Sequence, residues 1–282
     1  MNYRHAFHAG NFADVLKHAV LARLIDYLKR KEAAFRVIDT HAGVGLYDLS
    51  STEAGRTGEW ETGIARLLDA PATGRAGELL APYLDVVRGL NPDRLTLYPG
   101  SPLVTRRLLR VQDRLTAIEL HPADAALLKA NFAGDFQTRI IELDGWLALG
   151  AHLPPKERRG LVLIDPPFEK PDEFDTIVKG VAKAHRRWPG GTYAIWYPIK
   201  KVDEVERFRK GLAALAIPGI LDIRLTIRAP GPEPRLHGCG MAILNPPYVL
   251  EAEMADILPH LANTLALDDG AGAGTVWLTA AS

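Results

Sequence analysis

Four short apolar runs in this chain each end on an acidic residue, and that recurrence limits the folds open to it more than any other feature. The runs are Phe35-Arg-Val-Ile-Asp39, Leu115-Thr-Ala-Ile-Glu119, Arg139-Ile-Ile-Glu-Leu-Asp144 and Gly160-Leu-Val-Leu-Ile-Asp165. Runs of this length, bounded by turn residues, read as strands. Between them lie helical stretches, one from Ala123 to Phe132 and a short one around Trp146. Such alternation predicts an α/β fold with a doubly wound, mainly parallel, Rossmann-like sheet. The carboxyl ends of parallel strands share one edge, where ligands bind. Asp39, Glu119, Asp144 and Asp165 are therefore expected to converge there.

The fourth run leads into Asp165-Pro-Pro-Phe168. Pro166 and Pro167 have fixed φ and offer carbonyls without N–H groups. The result is a stiff rim with one carboxylate, acceptor carbonyls and an aromatic face, suited to a flat substrate with an exocyclic amino group such as adenine. A plain strand end with a proline turn is the competing reading, and Asn245-Pro-Pro-Tyr248 is a rival of the same type. The first run continues as Thr40-His41-Ala42-Gly43-Val44-Gly45, a turn that lets backbone approach a nucleotide-like ligand. The third glycine of a dinucleotide fingerprint is missing, and Asp39 would oppose a pyrophosphate. A nucleoside without phosphates fits better, S-adenosylmethionine first among them; an ordinary tight turn stands beside that reading.

Elsewhere the rhythm changes. Asn11 can cap a helix with Asp14 at its third position, followed by the stripe Leu16, Val20, Leu24 and Leu28. Residues 50–97 carry two more helical stripes and no strand until Leu95-Thr-Leu-Tyr98, which predicts a small helical insertion within a single domain of residues 1–282. Arg106, Arg107, Arg110 and Arg114 are expected along one helix, as a solvated face or an RNA-facing patch. Further strands are expected at Thr192–Tyr197, Ile220–Ile227, Cys239–Leu244 and Thr275–Leu278, with a turn at Gly270–Gly274. Thirty-four basic residues balance thirty-four acidic ones, so any nucleic-acid partner must be met by a local patch. The single cysteine, Cys239, excludes an internal disulfide and a cysteine-rich zinc site. With no apolar run of membrane-spanning length and no signal core at the N-terminus, a cytoplasmic protein is expected.

Taken together, the glycine turn, the acidic strand ends and Asp165-Pro-Pro-Phe168 resemble class I S-adenosylmethionine-dependent methyltransferases, the tetrad matching that of amino-methylating members. The leader Tyr3-Arg-His5-Ala-Phe-His8-Ala-Gly10-Asn11 with Asp14-Val-Leu-Lys17-His18, then Asp39-Thr-His41-Ala-Gly43 and Tyr98-Pro-Gly-Ser101-Pro, is similar to the bacterial RlmJ family, which methylates N6 of a specific adenine in 23S ribosomal RNA. The resemblance covers nearly the whole chain. It implies S-adenosylmethionine as cofactor, held by His18, His41, Gly43, Ser101, Glu119, Asp144, Gly145 and Asp165. It also implies a catalytic set of Asp165, Pro166, Phe168, Tyr3, His5 and Lys17. Asp165 would accept from the target amine, Phe168 would stack on the base, Tyr3 and His5 would close over it, and Lys17 would contact nucleic acid or shape the pocket. Phe168 stands where that family often has tyrosine, which keeps the stacking face and loses a hydroxyl. In the implied sheet the strand before Asp165 neighbours the glycine-turn strand. The strand before Asn245 runs antiparallel, which sends Asn245 to the opposite edge. The expected partner is 23S ribosomal RNA, and the expected state is a monomer without metal or membrane.

Three other functions stay open on residues alone. One is methyl transfer to DNA adenine or to a protein glutamine. Another is a metal-dependent hydrolase built on His5, His8, Asp14, His18, Asp39 and His41, although no compact pair of histidines with a carboxylate supports it. The last is a non-catalytic RNA-binding module using Arg106, Arg107 and Arg110.

Overall fold

The computed structural model describes residues 7–280. Its framework is an eight-stranded sheet with helices on both faces. Its strands include β1 (Arg36–Asp39), β4 (Arg114–Glu119), β5 (Thr138–Glu142), β6 (Gly160–Ile164), β7 (Thr192–Ile199) and β9 (Gly238–Leu244). With β8 (Ile220–Thr226) and β10 (Gly272–Thr279), the order across the sheet is β10-β8-β9-β7-β6-β1-β4-β5. Pairing is parallel from β7 through β6, β1 and β4 to β5. As expected, β6 lies beside β1, and β9 runs antiparallel to both β7 and β8.

β6 shows why continuous apolar runs become central strands. Leu161 and Leu163 face one core layer while Val162 and Ile164 face the other, and all four are fully buried. Both faces of the sheet are covered, so alternation of polar and apolar residues is absent. One layer holds α1 (Phe12–Lys29), α4 (Gly74–Leu90), α5 (Ser101–Leu108) and α10 (Leu250–Leu265). The other holds α7 (Gly145–Ala151), α8 (Glu173–Arg187) and α9 (Val202–Ala213).

α1 is buried on nearly all sides, as a helix enclosed between a sheet and other helices must be. Asn11 Oδ1 accepts from the amides of Ala13 and Asp14, a cap that stabilises the helix by about 1 kcal/mol. The segment expected to be a helical insertion holds α2 (Thr52–Thr57), a π-turn (Glu61–Ala65), α3 (Arg66–Asp69) and α4. Ile64, Leu67, Leu79, Leu80 and Tyr83 bury into the same core as α1.

The run near Leu95 forms β3 (Leu97–Pro99), which pairs antiparallel with β2 (Leu46–Asp48) as a separate ribbon. Two expectations of detail need correction. The arginine helix ends at Leu108, and Arg114 already belongs to β4, because Arg110 turns back to Asp113 and the chain re-enters the sheet. The glycine-rich turn near the C-terminus is shorter than expected, since β10 begins at Gly272 and pairs with β8 from there.

Candidate active site

The carboxyl ends of β1, β4, β5 and β6 surround a cavity of about 410 Å³, within the range of small-molecule sites. Lys17, His41, Gly43, Ser101, Glu119, Asp144, Gly145, Asp165 and Pro166 all line it. Nine residues proposed from the sequence thus meet at one place, although they are spread over some 150 positions of chain.

α1 supplies the central cation. Lys17 Nζ lies 2.6 Å from Asp165 Oδ2 and 2.8 Å from Asp14 Oδ1. Burial alone would lower its pKa, but the two carboxylates outweigh it and hold the ammonium well above its ordinary value. Lys17 therefore shapes the site, fixing the carboxyl that follows β6. Asp14, not among the expected cofactor or catalytic residues, is the second anchor of that lysine and also accepts from the Gly10 amide at 2.9 Å. The three-residue spacing of Asp14 and Lys17 was the signal for it.

Asp39 departs from expectation in its position. It is fully buried and does not line the cavity; Ser101 donates to its Oδ2 at 2.6 Å from the start of α5. Burial pushes its pKa up to about 6, against the opposing pull of Ser101 and Lys17. It is a supporting carboxylate beneath the floor.

His41 is held in one tautomer. Thr40 Oγ1 donates to the Leu163 carbonyl at 2.9 Å, so at 2.8 Å it can only accept from His41 Nδ1–H. Nε2 is then an acceptor. Burial lowers the imidazole pKa to about 4 despite the Asp165 and Asp144 carboxylates, and the ring stays neutral. Its ring meets Trp146 edge-on, centroids 5.6 Å apart.

The cofactor-type features lie along the rest of the rim. Glu119 accepts from Gly43 N at 2.9 Å and from His121 N at 2.8 Å, one oxygen each, and retains lone pairs for a pair of hydroxyls. Burial raises its pKa, with those amides opposing. Gly43 has φ +61°, and a Cβ there would sit 2.3 Å from the Tyr47 hydroxyl. Asp144 caps α7, Oδ1 accepting from Trp146 N and Leu147 N at 2.8 and 3.1 Å, while Oδ2 has no hydrogen-bond partner among the described residues. A Cβ on Gly145 would lie 2.4 Å from the Thr40 carbonyl, so only glycine lets α7 approach the β1 turn. A carboxylate for two hydroxyls, a free carboxylate oxygen for an amino group and a close-packed glycine turn fit an adenosine moiety.

Two expected members lie elsewhere. His18 is fully buried behind the wall, its Nδ1 2.8 Å from the Tyr98 hydroxyl and its ring stacked on Tyr98. One residue along a helix turns the side chain about 100° from Lys17, and that carries His18 to the aromatic layer. Phe168, at φ +51°, packs edge-on against Phe174 and Trp196, with centroids 5.1 and 5.7 Å away; it is half-buried and outside the cavity wall. Tyr3 and His5 lie outside the described residues. The sequence reading missed Tyr47, Trp146, Lys170 and Glu173, all on the wall. Asn245 is at the far edge, its side-chain amide donating to the Gly190 carbonyl at 3.3 Å, just ahead of β7.

Among the described residues no group of three or more His, Cys, Asp or Glu side chains is placed to hold a metal, and no helix is long and apolar enough to cross a membrane. Arg106 and Arg110 pair with Asp135 and Asp113.

Comparison with known proteins adds an independent line. A family model described as ribosomal RNA large subunit methyltransferase D, RlmJ, matches residues 32–279. A protein of Haemophilus influenzae named ribosomal RNA large subunit methyltransferase J is 45% identical over 282 residues, covering 99% of each chain. Its namesake from Escherichia coli is 43% identical over 283 residues, again covering 99% of each. A crystal structure of a Legionella pneumophila protein superposes with a TM-score of 0.87 at 32% identity, covering 96% of this chain and 98% of that one.

Proposed function

Since the chain belongs to the RlmJ family of S-adenosylmethionine-dependent ribosomal RNA methyltransferases, we propose that it methylates N6 of a specific adenine in 23S ribosomal RNA, with Asp165 as the acceptor that positions the amine. The observation that carries this reading is the state of Asp165. Lys17 holds Oδ2, while Oδ1 has no hydrogen-bond partner among the described residues of a cavity wall.

When bound, S-adenosylmethionine supplies an electrophilic methyl group on a sulfonium leaving group, so the reaction requires no metal. Glu119 would hold the ribose hydroxyls, Asp144 Oδ2 the adenine amino group, and the Gly43 and Gly145 turns would admit it closely. His41, Ser101 and Asp165 face the same space. His18 would act from behind, through Tyr98.

The target adenine would be turned out of its stack. Its N6 lone pair is delocalised into the ring, which makes the amine a poor nucleophile. Asp165 Oδ1 and the Pro166 carbonyl accept the two N6 hydrogens, which favours a more tetrahedral nitrogen and aims its lone pair at the methyl carbon. Alignment of nitrogen, carbon and sulfur lowers the barrier further. The methylated amine is cationic and a far stronger acid than a carboxylic acid, so Asp165 or water can take its proton. The exposed side of Phe168 stacks on the base. In this reading the protein works in the cytoplasm as a monomer.

Mass-spectrometric mapping of methylated nucleotides in 23S ribosomal RNA, with and without the protein, tests the assignment. N6-methyladenine at one position is expected, and Asp165→Ala should lower turnover roughly 100- to 1,000-fold. A methyl group on another atom, or near-normal turnover by Asp165→Ala, would overturn it.

A further inference from the structure

The catalytic cavity has the wrong charge to hold RNA. Six carboxylates line it (Glu119, Asp124, Asp144, Asp165, Glu169 and Glu173) against two lysines, Lys17 and Lys170. With no net charge on the chain, a grip on a polyanion has to come from a concentrated patch elsewhere.

Such a patch lies at the opposite edge of the sheet, where β1, β4 and β5 begin. Arg36, Arg114, Arg139, His152 and Lys156 line a second cavity there, of about 450 Å³. Arg36 is neutralised by a two-pronged bond to Glu157, both contacts at 2.9 Å. Among the described residues Arg114 donates to the main-chain carbonyls of Val111 and Asp113, and it also attracts the Glu157 carboxylate. Arg139 and Lys156 are exposed and have no hydrogen bond or ion pair among the described residues. His152 reports the resulting field: burial, then Arg139 and Arg36, lower its pKa. On the rim, Phe136 is 70% exposed, and Arg114 covers one ring face at 5.7 Å from the centroid, which leaves the other face open.

Two unpaired cations, Arg139 and Lys156, in one cavity with Arg114 and an aromatic ring that keeps a free face match phosphates flanking a stackable base. Building on the reading above, we propose that this cavity is a second RNA site, which binds the backbone of a segment distant from the target adenine. A strand of six residues spans about 20 Å, so no single nucleotide bridges the two edges. A large folded RNA does so easily, and a stem-loop too short to wrap from one edge to the other does not. The site would thus give the protein preference for the long substrate without taking part in methyl transfer.

The test is the double variant Arg139→Gln/Lys156→Gln, whose exposed side chains contribute nothing to the core and whose melting should match the parent. For full-length 23S ribosomal RNA the KM should rise about tenfold, with kcat unchanged. In filter binding, the slope of log affinity against log salt should fall by about 2, as two phosphate contacts are lost. Kinetics on a short stem-loop carrying the target adenine should not change. Equal KM values on the long RNA would overturn the proposal, as would an equal loss on both RNAs. So would saturable binding of a fluorescent nucleoside triphosphate that the variant loses while RNA binding persists, since the cavity would then serve a free anion. Filter binding does not depend on methyl transfer. If the parent protein bound RNA without methylating adenine N6, the reaction assigned above would fail while this site could still be judged.

Discussion

Lys17 is a buried cation between two carboxylates, Asp14 and Asp165, and it fixes the acceptor on which the proposed chemistry depends. No local sequence pattern pairs residues 17 and 165; only the passage of α1 beneath the end of β6 does. His41 presents the related case of a group whose charge is set by surroundings. Its folded pKa of about 4 lies below the unfolded value near 6.5. Between those values the unfolded chain binds more protons, so the stability tied to neutral His41 is complete above pH 6.5 and is lost as pH falls toward 4. Asp39 has the opposite sign: its pKa of about 6 lies above the unfolded 3.8, so its contribution declines as pH rises through that window. The two partly cancel in any global unfolding curve. Resolved titration separates them: the His41 ring resonances in an NMR series should not move between pH 8 and pH 5. A midpoint above 6 would contradict the burial and the tautomer assigned to it.

At the scale of elements, the π-turn joins the leader to the body. The Ile64 amide donates to the Gly10 carbonyl at 2.8 Å, and the backbones touch closely enough that a Cβ on Gly63 would sit 2.1 Å from that oxygen. Asn11 both caps α1 and donates to Glu59 Oε2 at 2.9 Å, and His8 bonds the same carboxylate. The segment of residues 50–97 thus holds the start of α1, and through it Lys17. Gly63→Ala should cost about 1–3 kcal/mol in urea unfolding, the usual cost of overpacking against fixed backbone. It should also raise the KM for RNA by displacing the leader. Unchanged stability would mean that the π-turn and leader move apart without cost. From the sequence, the helical stripes of this segment are legible because their 3.6-residue period is local. The π-turn is not, because it exists to accommodate Gly10, more than fifty positions earlier.

At the scale of the whole molecule, strand direction decides which of two look-alike tetrads can act. Asp165-Pro-Pro-Phe168 follows a parallel strand and reaches the cavity; Asn245-Pro-Pro-Tyr248 follows antiparallel β9 and ends at the far edge. Asn245 sits at φ +52°, a left-handed conformation that costs asparagine less than it costs alanine. Asn245→Ala should therefore lower stability by about 1–2 kcal/mol and leave kcat for methyl transfer unchanged. A large loss of turnover at preserved stability would show that the two edges of the sheet are coupled. The same geometry separates charge: carboxylates gather where strands end, and uncompensated cations gather where β1, β4 and β5 begin.

The sequence alone shows the strand–helix alternation, the acidic strand ends and the family-like leader. These are written in local periodicity and in contiguous motifs, which need no knowledge of distant contacts. It also assembled most of the cavity, because parallel strands of similar length bring their carboxyl ends to one edge. Tertiary packing set depth and orientation. It sank Asp39 beneath the floor, turned His18 behind the wall against Tyr98 and packed Phe168 against Phe174 and Trp196. The physical reason is common to all three. A sequence places a residue at the end of an element, but burial and side-chain direction are set by what packs against that element, and those partners come from far along the chain. The carboxylate that closes the strand at Asp165 was therefore legible from its motif, while the lysine that holds it was placed there only by the fold.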